Sequence, residues 1–446
     1  MDKLPPSFFF LIYFICGIFL QRIGGDLIYF LAIFIFSLIL IKEKYLFLTP
    51  LFLFFLFLGF FLSKSSIPEF SYFRGFKLEK VKGIVEEVEE REKIKEVIFR
   101  PLNEKEKILL TVDKNREINI GDIIYLEELK VFPVGRENIY KFWGEGIILF
   151  GNTKYFKVVG KKLSFLKLLR IRVKNYIKNI LLLSKPEISS FLRAVILGES
   201  GIVSKKVKDL FINTGTIHIL AISGLHITLL VSFLVFLINS KNLRFVISLF
   251  LFFYAFIVGN KPPVLRAVFM YFYSILAKNF IREEDIINSF FMVCLISLIF
   301  SPLNIFNISF QLSYLATLGL ILTPSFKIPL IKKYYQDLWK SSFWLFIFLM
   351  PFNIYFFERV HILSLIGNLF SIPIFHLILF LSFLLILLNI FPFTSFLISI
   401  IEFLINILFS GLQFILINYK ISLILSLILI IFPFILKNTR NELLGV

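Results

Sequence analysis

The chain has 446 residues, of which 58% are apolar and 17% charged, with 60 phenylalanines and a formal net charge of +18. Soluble domains carry about 25% charged residues, and a mean hydropathy of +0.86 demands a lipid solvent for most of the length. A soluble globular enzyme, a disordered chain and a disulfide scaffold are excluded. The two cysteines, Cys16 and Cys294, sit in apolar runs and suggest neither a disulfide nor a thiolate metal site. The positive excess either marks cytoplasmic loops or attracts an anionic partner.

Residues 1–62 are almost continuously apolar, broken at Gln21–Asp26 and at Lys42-Glu43-Lys44. They predict three membrane helices near 7–20, 27–41 and 46–62. The first is not expected to be a cleaved signal, because apolar helices follow at once and no small-residue cleavage site ends it. More than half of all charged residues then fall between Lys64 and Lys178, so this stretch cannot sit in hydrocarbon. Short alternating runs at Val81–Glu86, Lys107–Val112, Ile123–Leu126 and Gly146–Phe150 read as strands. Turn residues punctuate them at Asn103, Asn115, Gly121-Asp122, Pro133–Gly135 and Gly151-Asn152. Residues 63–160 are therefore expected to form an extracytoplasmic, OB-like β domain. Such barrels bind single strands through a cationic groove and stacking aromatics. Tyr72, Phe73, Phe76, Phe99, Tyr125, Phe132, Tyr140, Phe142 and Trp143 are the aromatics available, most of them expected in the core.

Nine cations and no acid lie between Lys154 and Lys178: Lys154, Lys157, Lys161, Lys162, Lys167, Arg170, Arg172, Lys174 and Lys178. Leu163, Leu166, Leu169, Val173, Ile177 and Ile180 recur at helical spacing. Residues 153–183 thus read as a basic amphipathic helix, at a membrane surface or facing a polyanion. Residues 161–216 are assigned as a linker at the outer membrane surface, and the nine cations as candidate DNA contacts.

From 217 onward, spans are expected near 217–238, 244–259, 263–279, 286–300, 306–323, 341–357, 362–390, 395–417 and 421–436. The 362–390 segment is long enough to tilt or to break at Pro373. The fold class is a polytopic α-helical membrane protein of about twelve spans, with the β domain inserted after the first three helices. With the N-terminus inside, Lys42, Lys44, Lys241, Arg244, the 324–340 loop (Lys327, Lys332, Lys333, Lys340), Lys437 and Arg440 fall inside. Lys261 and Arg359 are the exceptions, and both termini are expected to be cytoplasmic. The basic stretch 154–178 falls outside, where a polyanion arriving from outside gives it a reason.

The stretch Leu192–Glu199, followed by Phe211-Ile212-Asn213-Thr214-Gly215-Thr216-Ile217-His218-Ile219-Leu220-Ala221-Ile222-Ser223-Gly224-Leu225-His226-Ile227, resembles the signature of the ComEC-type competence channels. Three further segments match in order: Pro262-Pro263-Val264-Leu265-Arg266-Ala267, Phe310–Gly319 and Gly367-Asn368-Leu369-Phe370-Ser371-Ile372-Pro373. The resemblance implies an inner-membrane channel domain over 217–446, in a bacterium, that passes transforming DNA inward as a single strand. It implies as partners single-stranded DNA, membrane lipid, a surface DNA receptor, and a cytoplasmic helicase or single-strand-binding protein, with an oligomer open. Many members continue into a metallo-β-lactamase-like domain. This sequence has four histidines and no histidine-rich metal motif, so no nuclease step, metal or cofactor is expected of it, and a separate nuclease is allowed for. Without a Gly-x-x-x-x-Gly-Lys-Ser/Thr motif, ATP hydrolysis by a P-loop is not expected either.

Within the motifs, His218, Ser223, Gly224, His226, Pro263, Arg266, Gln311, Ser313, Asn368 and Pro373 are the channel candidates. His218 and His226, eight apart, share a broad face if the helix between them is unbroken; they line a path or bond to neighbouring helices. Gly224 allows close approach of another helix or of substrate. Ser223 with a nearby His also fits an intramembrane serine protease, which needs direct Ser–His contact and an oxyanion site. Arg266 either snorkels or holds a phosphate. Gln311 and Ser313 fit interhelical bonding or pore lining, and Asn368 fits satisfaction of carbonyls freed by Pro373 or pore lining. A transporter of a small anionic or lipid-linked substrate and a membrane-surface scaffold are the other classes left open.

Overall fold

The computed structural model describes residues 5–23, 49–66, 77–92, 94–102, 107–133, 142, 147–153, 155–238, 243–279, 285–323, 333–389 and 394–429. The predicted helix 27–41 and the cations Lys42, Lys44, Lys154, Lys241, Lys437 and Arg440 lie outside them. So do Lys327, Lys332, Tyr72, Phe73, Phe76, Tyr140 and Trp143. The chain forms two compact units, Met1–Leu169 with Leu265–Tyr314, and Arg170–Val264 with Leu315–Val446.

In the first unit, helices α1 (Pro6–Ile23) and α2 (Thr49–Ser66) cross at glycines. A Cβ at Gly17 would strike the Leu56 carbonyl, and one at Gly59 the Phe14 carbonyl. Small residues at a crossing let two backbones approach where lipid supplies no hydrophobic drive. Helix α1 also packs on a helix from much later in the chain. The Ser7 hydroxyl donates to Asn288 Oδ1 at 2.6 Å, and Phe8 packs edge-on against Phe291 at 4.9 Å.

Six strands follow: β1 (Lys77–Glu90), β2 (Ile94–Pro101), β3 (Lys107–Asp113), β4 (Asp122–Pro133), β5 (Ile147–Asn152) and β6 (Tyr155–Lys161). Five close in the order β1-β2-β3-β5-β4, with β4 pairing back onto β1. β3 and β5 are parallel, the other neighbours antiparallel, and β6 adds to β4. Val85, Val97, Phe99, Ile108, Leu110, Ile124, Leu126 and Leu129 fill the interior. On β4 the inward positions change from Ile124 and Leu126 to Leu129 and Val131. The change falls across Glu128, whose φ is 53°.

The β domain expected at 63–160 is present, with three local corrections. β2 was not among the predicted strands, because it does not alternate: Val97, Ile98 and Phe99 are all buried. Ile98 faces a second cluster with Leu109 and Ile147, so both faces of the strand are covered. Gly151-Asn152 is not a turn but the end of β5. Residues 155–161 are strand, not helix, and the basic helix begins at Phe165. Of the candidate aromatics, Phe99 is core, Phe142 packs on Phe150 at 5.2 Å, and Phe132 is exposed.

The remaining helices are α3 (Phe165–Leu181), α4 (Pro186–Leu197), α5 (Lys205–Asn213), α6 (Gly224–Ile238), α7 (Arg244–Val258), α8 (Pro262–Asn279), α9 (Ile286–Phe300), α10 (Ile308–Ile321), α11 (Lys333–Phe357), α12 (Ser364–Leu388), α13 (Thr394–Ile417) and α14 (Tyr419–Leu429). Local chemistry sets their ends. The Asp285 carboxylate accepts from the backbone N–H groups of Ile287 and Asn288, capping α9. Gly259, at φ 98°, closes α7. Among the described residues, Gln336–Phe357, Ser364–Leu388 and Thr394–Ile417 are long and apolar enough to cross a membrane, and eight shorter helices are apolar.

Two expectations change here, and one alternative is settled. The span predicted from 217 begins only at Gly224. Helix α11 starts at Lys333, so Lys333 and Lys340 are helical, not loop residues, and Lys340 is buried. Helix α12 runs through Pro373 without breaking. In the second unit Phe191, Phe211 and Phe409 form an aromatic cluster joining α4, α5 and α13.

Candidate functional site

The quoted Thr214–His226 motif builds a compact polar turn between α5 and α6. The Thr214 hydroxyl donates to the Leu210 carbonyl at 2.8 Å, closing α5, and lies 2.8 Å from the Thr216 hydroxyl. Both threonines are fully buried. Gly215 has φ 71°, a left-handed conformation that glycine adopts without strain. A Cβ there would also meet the Cβ atoms of His361 and Ser364 at 2.7 Å. A short 3-10 turn, Ile217–Ile219, carries His218, and the chain is non-helical from there to Ser223. His218 and His226 therefore do not share one helix; His218 is surface-exposed and His226 buried.

Ser223 stands just before the first turn of α6. Its backbone N–H donates to His226 Nδ1 at 3.1 Å, and its hydroxyl oxygen is 3.1 Å from the same nitrogen. This is the reciprocal half of a capping box, with histidine in place of the usual Glu or Gln. Because Nδ1 accepts from a backbone N–H, the neutral ring carries its proton on Nε2. That Nε2 is buried and has no hydrogen-bond partner among the described residues. A Ser–His protease needs a third group to orient the imidazole. Among the described residues none lies at Nε2, and the Ser223–His226 contact caps the first turn of α6.

Helix α12 faces this segment. Gly367 lies against Thr216 and the Thr214 carbonyl, where a Cβ would approach to 2.8 Å. The His226 ring packs edge-on against Phe375 at 5.1 Å. Asn368 and Phe375 are seven residues apart and share a helical face. Asn368 Oδ1 and His376 Nε2 are also buried without hydrogen-bond partners among the described residues. The unpaired Asn368 atom is the amide oxygen, an acceptor, so it leaves the expected donation by Asn368 to a carbonyl freed by Pro373 untouched. A neighbouring carbonyl is occupied by Ser371, whose hydroxyl donates to Gly367 O at 2.5 Å. An unpaired buried polar atom costs about 1–3 kcal/mol. Three such atoms stand on α6 and α12, and among the described residues the Ser189, Ser248 and Ser426 hydroxyls and Trp344 Nε1 are orphaned elsewhere.

The other motif residues form a separate group in the first unit. Arg266, one turn into α8 beyond Pro263, donates through its guanidinium to the Ser313 carbonyl of α10. Its Nε is buried without a partner among the described residues. The Tyr314 hydroxyl is 2.8 Å from the Ser297 hydroxyl. Gln311 donates to the Ile305 carbonyl at 2.6 Å, holding the Pro302–Phe306 turn. Arg266 therefore does not snorkel, and Gln311 has a local structural bond.

The basic candidates divide. Lys157, Lys161, Lys162 and Arg172 are exposed, and Lys167 is half-buried. Arg170 donates to the Ile257 carbonyl at 3.1 Å and lies over Phe256. Lys174 and Lys178 point inward to Glu199, at 3.6 and 3.0 Å, where Arg193 also binds at 2.7 Å. Burial alone would raise the Glu199 carboxyl. The charges of Lys178, Lys174 and Arg193 outweigh it and hold that carboxyl below its usual range. Sequence reasoning passed over Glu199, Thr214 and Thr216, although all three lie inside the quoted motifs. Residues six apart, such as Arg193 and Glu199, signal no contact on a continuous helix; the left-handed Gly198, at φ 76°, turns the chain back.

The comparisons bear on this same region. The Bacillus subtilis (strain 168) protein named ComE operon protein 3 is 29% identical over 196 residues, covering 42% of this chain and 25% of that protein. An uncharacterised protein of Aquifex aeolicus (strain VF5) is 33% identical over 220 residues, covering 45% of this chain and 51% of that one. The uncharacterised protein YcaI of Escherichia coli (strain K12) is 28% identical over 196 residues, covering 40% and 26%. The chain thus spans a quarter to a half of the length of these curated relatives. No solved structure matches it. The model of the family described as Competence protein matches residues 195–437. That stretch exceeds half the chain and holds the capped Ser223–His226 turn, Arg266, Gln311 and the α12 face; the chain belongs to the competence protein family.

Proposed function

We propose that the protein is the inner-membrane channel through which transforming single-stranded DNA enters the cytoplasm, about twelve spans surrounding a hydrated path. The observation that carries the reading is a set of orphaned polar atoms on α6 and α12, two helices in contact through His226 and Phe375. His226 Nε2, Asn368 Oδ1 and His376 Nε2 have no hydrogen-bond partner among the described residues, and lipid offers them none. A water-filled path satisfies all three. Polar side chains at membrane depth usually face such a cavity.

The five-stranded barrel, read as OB-like, is the extracytoplasmic module before the channel, and both termini are cytoplasmic. A phosphodiester strand moving inward works against an inside-negative potential, at about 2.3 kcal/mol per charge per 100 mV. The partners are therefore a surface receptor that delivers DNA and a cytoplasmic helicase or single-strand-binding protein that captures it. The reading allows for a separate nuclease as a further partner.

Transformation of a deletion strain tests the reading. Labelled DNA is expected to remain bound at the cell surface while nuclease-protected intracellular DNA and transformants are lost, both returning with the intact gene. Undiminished transformation in the deletant rejects the channel.

A further inference from the structure

From β6 into the first turn of α3, the barrel unit exposes a run of apolar side chains. Tyr155 is 63% exposed, Val159 48%, Phe165 78% and Leu166 60%. Lys157, Lys161 and Lys162 are exposed among them, and no acidic residue occurs from Tyr155 to Leu166. β6 is an edge strand, hydrogen-bonded to β4 alone among the described strands. Lys157 and Lys161 blunt this edge by charge, but exposed Tyr155, Val158 and Val159 lie between and beside them.

Two media could receive the lysines, but only one also receives the aliphatic groups. A polyanion in water would pair the ammonium groups and leave Val159 and Leu166 wet. The boundary of an anionic bilayer takes apolar side chains below the headgroups, while lysine stems lie along them and their charges reach phosphate. Tyr155 and Phe165 supply the aromatic groups that favour that depth.

We propose that Tyr155–Leu166 is a membrane-surface anchor, which docks on anionic phospholipid with Lys157, Lys161 and Lys162 facing headgroup phosphates. Three cations assigned from sequence to DNA thereby become lipid contacts. The inference does not depend on the channel reading.

The test uses the full chain with Cys16→Ser and Cys294→Ala, carrying Val159→Cys or Phe165→Cys and a polarity-sensitive fluorophore. The protein is placed in nanodiscs of equal parts phosphatidylcholine and phosphatidylglycerol. Spin-labelled lipid is expected to lower emission about twofold or more, as for a group at the headgroup boundary, while aqueous iodide has little effect. The combined Lys157→Gln, Lys161→Gln, Lys162→Gln variant is expected to lose that lipid quenching. A fluorophore at Glu117→Cys, an exposed barrel position, reports iodide access in all samples and shows that the barrel surface is intact. Iodide quenching at both anchor positions with no lipid quenching overturns the proposal. Protection from iodide only on adding oligodeoxythymidine overturns it in favour of DNA.

Discussion

Gly215→Val is expected to lower the melting temperature by several degrees and to cut DNA uptake about tenfold or more, because one or two kcal/mol already shifts a marginal fold by such factors. Two independent costs add at this position. The φ of 71° is a left-handed conformation, which costs a residue bearing a Cβ about 1–2 kcal/mol. The new side chain also meets the Cβ atoms of His361 and Ser364 at 2.7 Å, and overpacking costs about 1–3 kcal/mol more. Relief requires the Thr214–Ile219 turn and the start of α12 to separate. That separation disturbs the two segments that position His226 and Asn368, so function should fall further than stability alone requires. Gly160→Ala is the control. Among the described residues a Cβ there meets Ile123 Cδ1 alone, at 3.6 Å, and the variant should melt like the parent and show parental uptake. Melting of the purified protein in detergent, paired with an uptake assay, reads both effects; Gly215→Val at parental levels in both would remove the turn from the argument.

The second large effect is expected at Glu199. Glu199→Gln leaves Lys174, Lys178 and Arg193 facing a neutral amide in a cluster whose side chains are 14–23% exposed. Removing one partner of a buried ion pair costs about 3–5 kcal/mol, and partial solvent access favours the lower figure. The loss has a pH signature. The folded-state pKa is lowered, so the carboxylate contributes its stabilisation in full above its unfolded value, about 4.3. The contribution fades as pH falls from there through the folded value. The gap in melting temperature between parent and variant should therefore be constant at neutral pH and narrow below about pH 4. A gap that stays constant into that acid range would mean that the carboxylate charge is not what the cations hold.

Helix positions were legible wherever the sequence carries its own punctuation. Asp285 starts α9, Pro262 opens α8 and Gly259 ends α7, and these spans fall within a residue or two of expectation. Three features were hidden for physical reasons. Ser223 and Gly224 sit in an apolar run with no charge to mark a break, so the cap that starts α6 reads as mid-span. In Lys157-Val158-Val159-Gly160-Lys161 the β-branched pair competes with the leucine periodicity that follows. Pairing with β4, an interaction remote in sequence, decides for strand. β2 is covered on both faces and loses the alternation that identifies a strand. The candidate site divides in the same way. The motifs pointed to His226, Arg266 and Asn368. Which of their atoms are bonded depends on partners such as Ser223, Ser313 and Phe375, and spacing alone does not pair these.

Site-specific photo-crosslinking along α12 during active uptake asks directly whether nucleic acid travels through the bundle. A photoreactive phenylalanine at Asn368, on the helical face shared with Phe375, is expected to capture labelled single-stranded DNA. The same probe at Leu377, which is 54% exposed on the apolar surface of that helix, should capture lipid only. Capture of no strand at Asn368 while uptake proceeds, or equal capture at both positions, would contradict a path between α6 and α12.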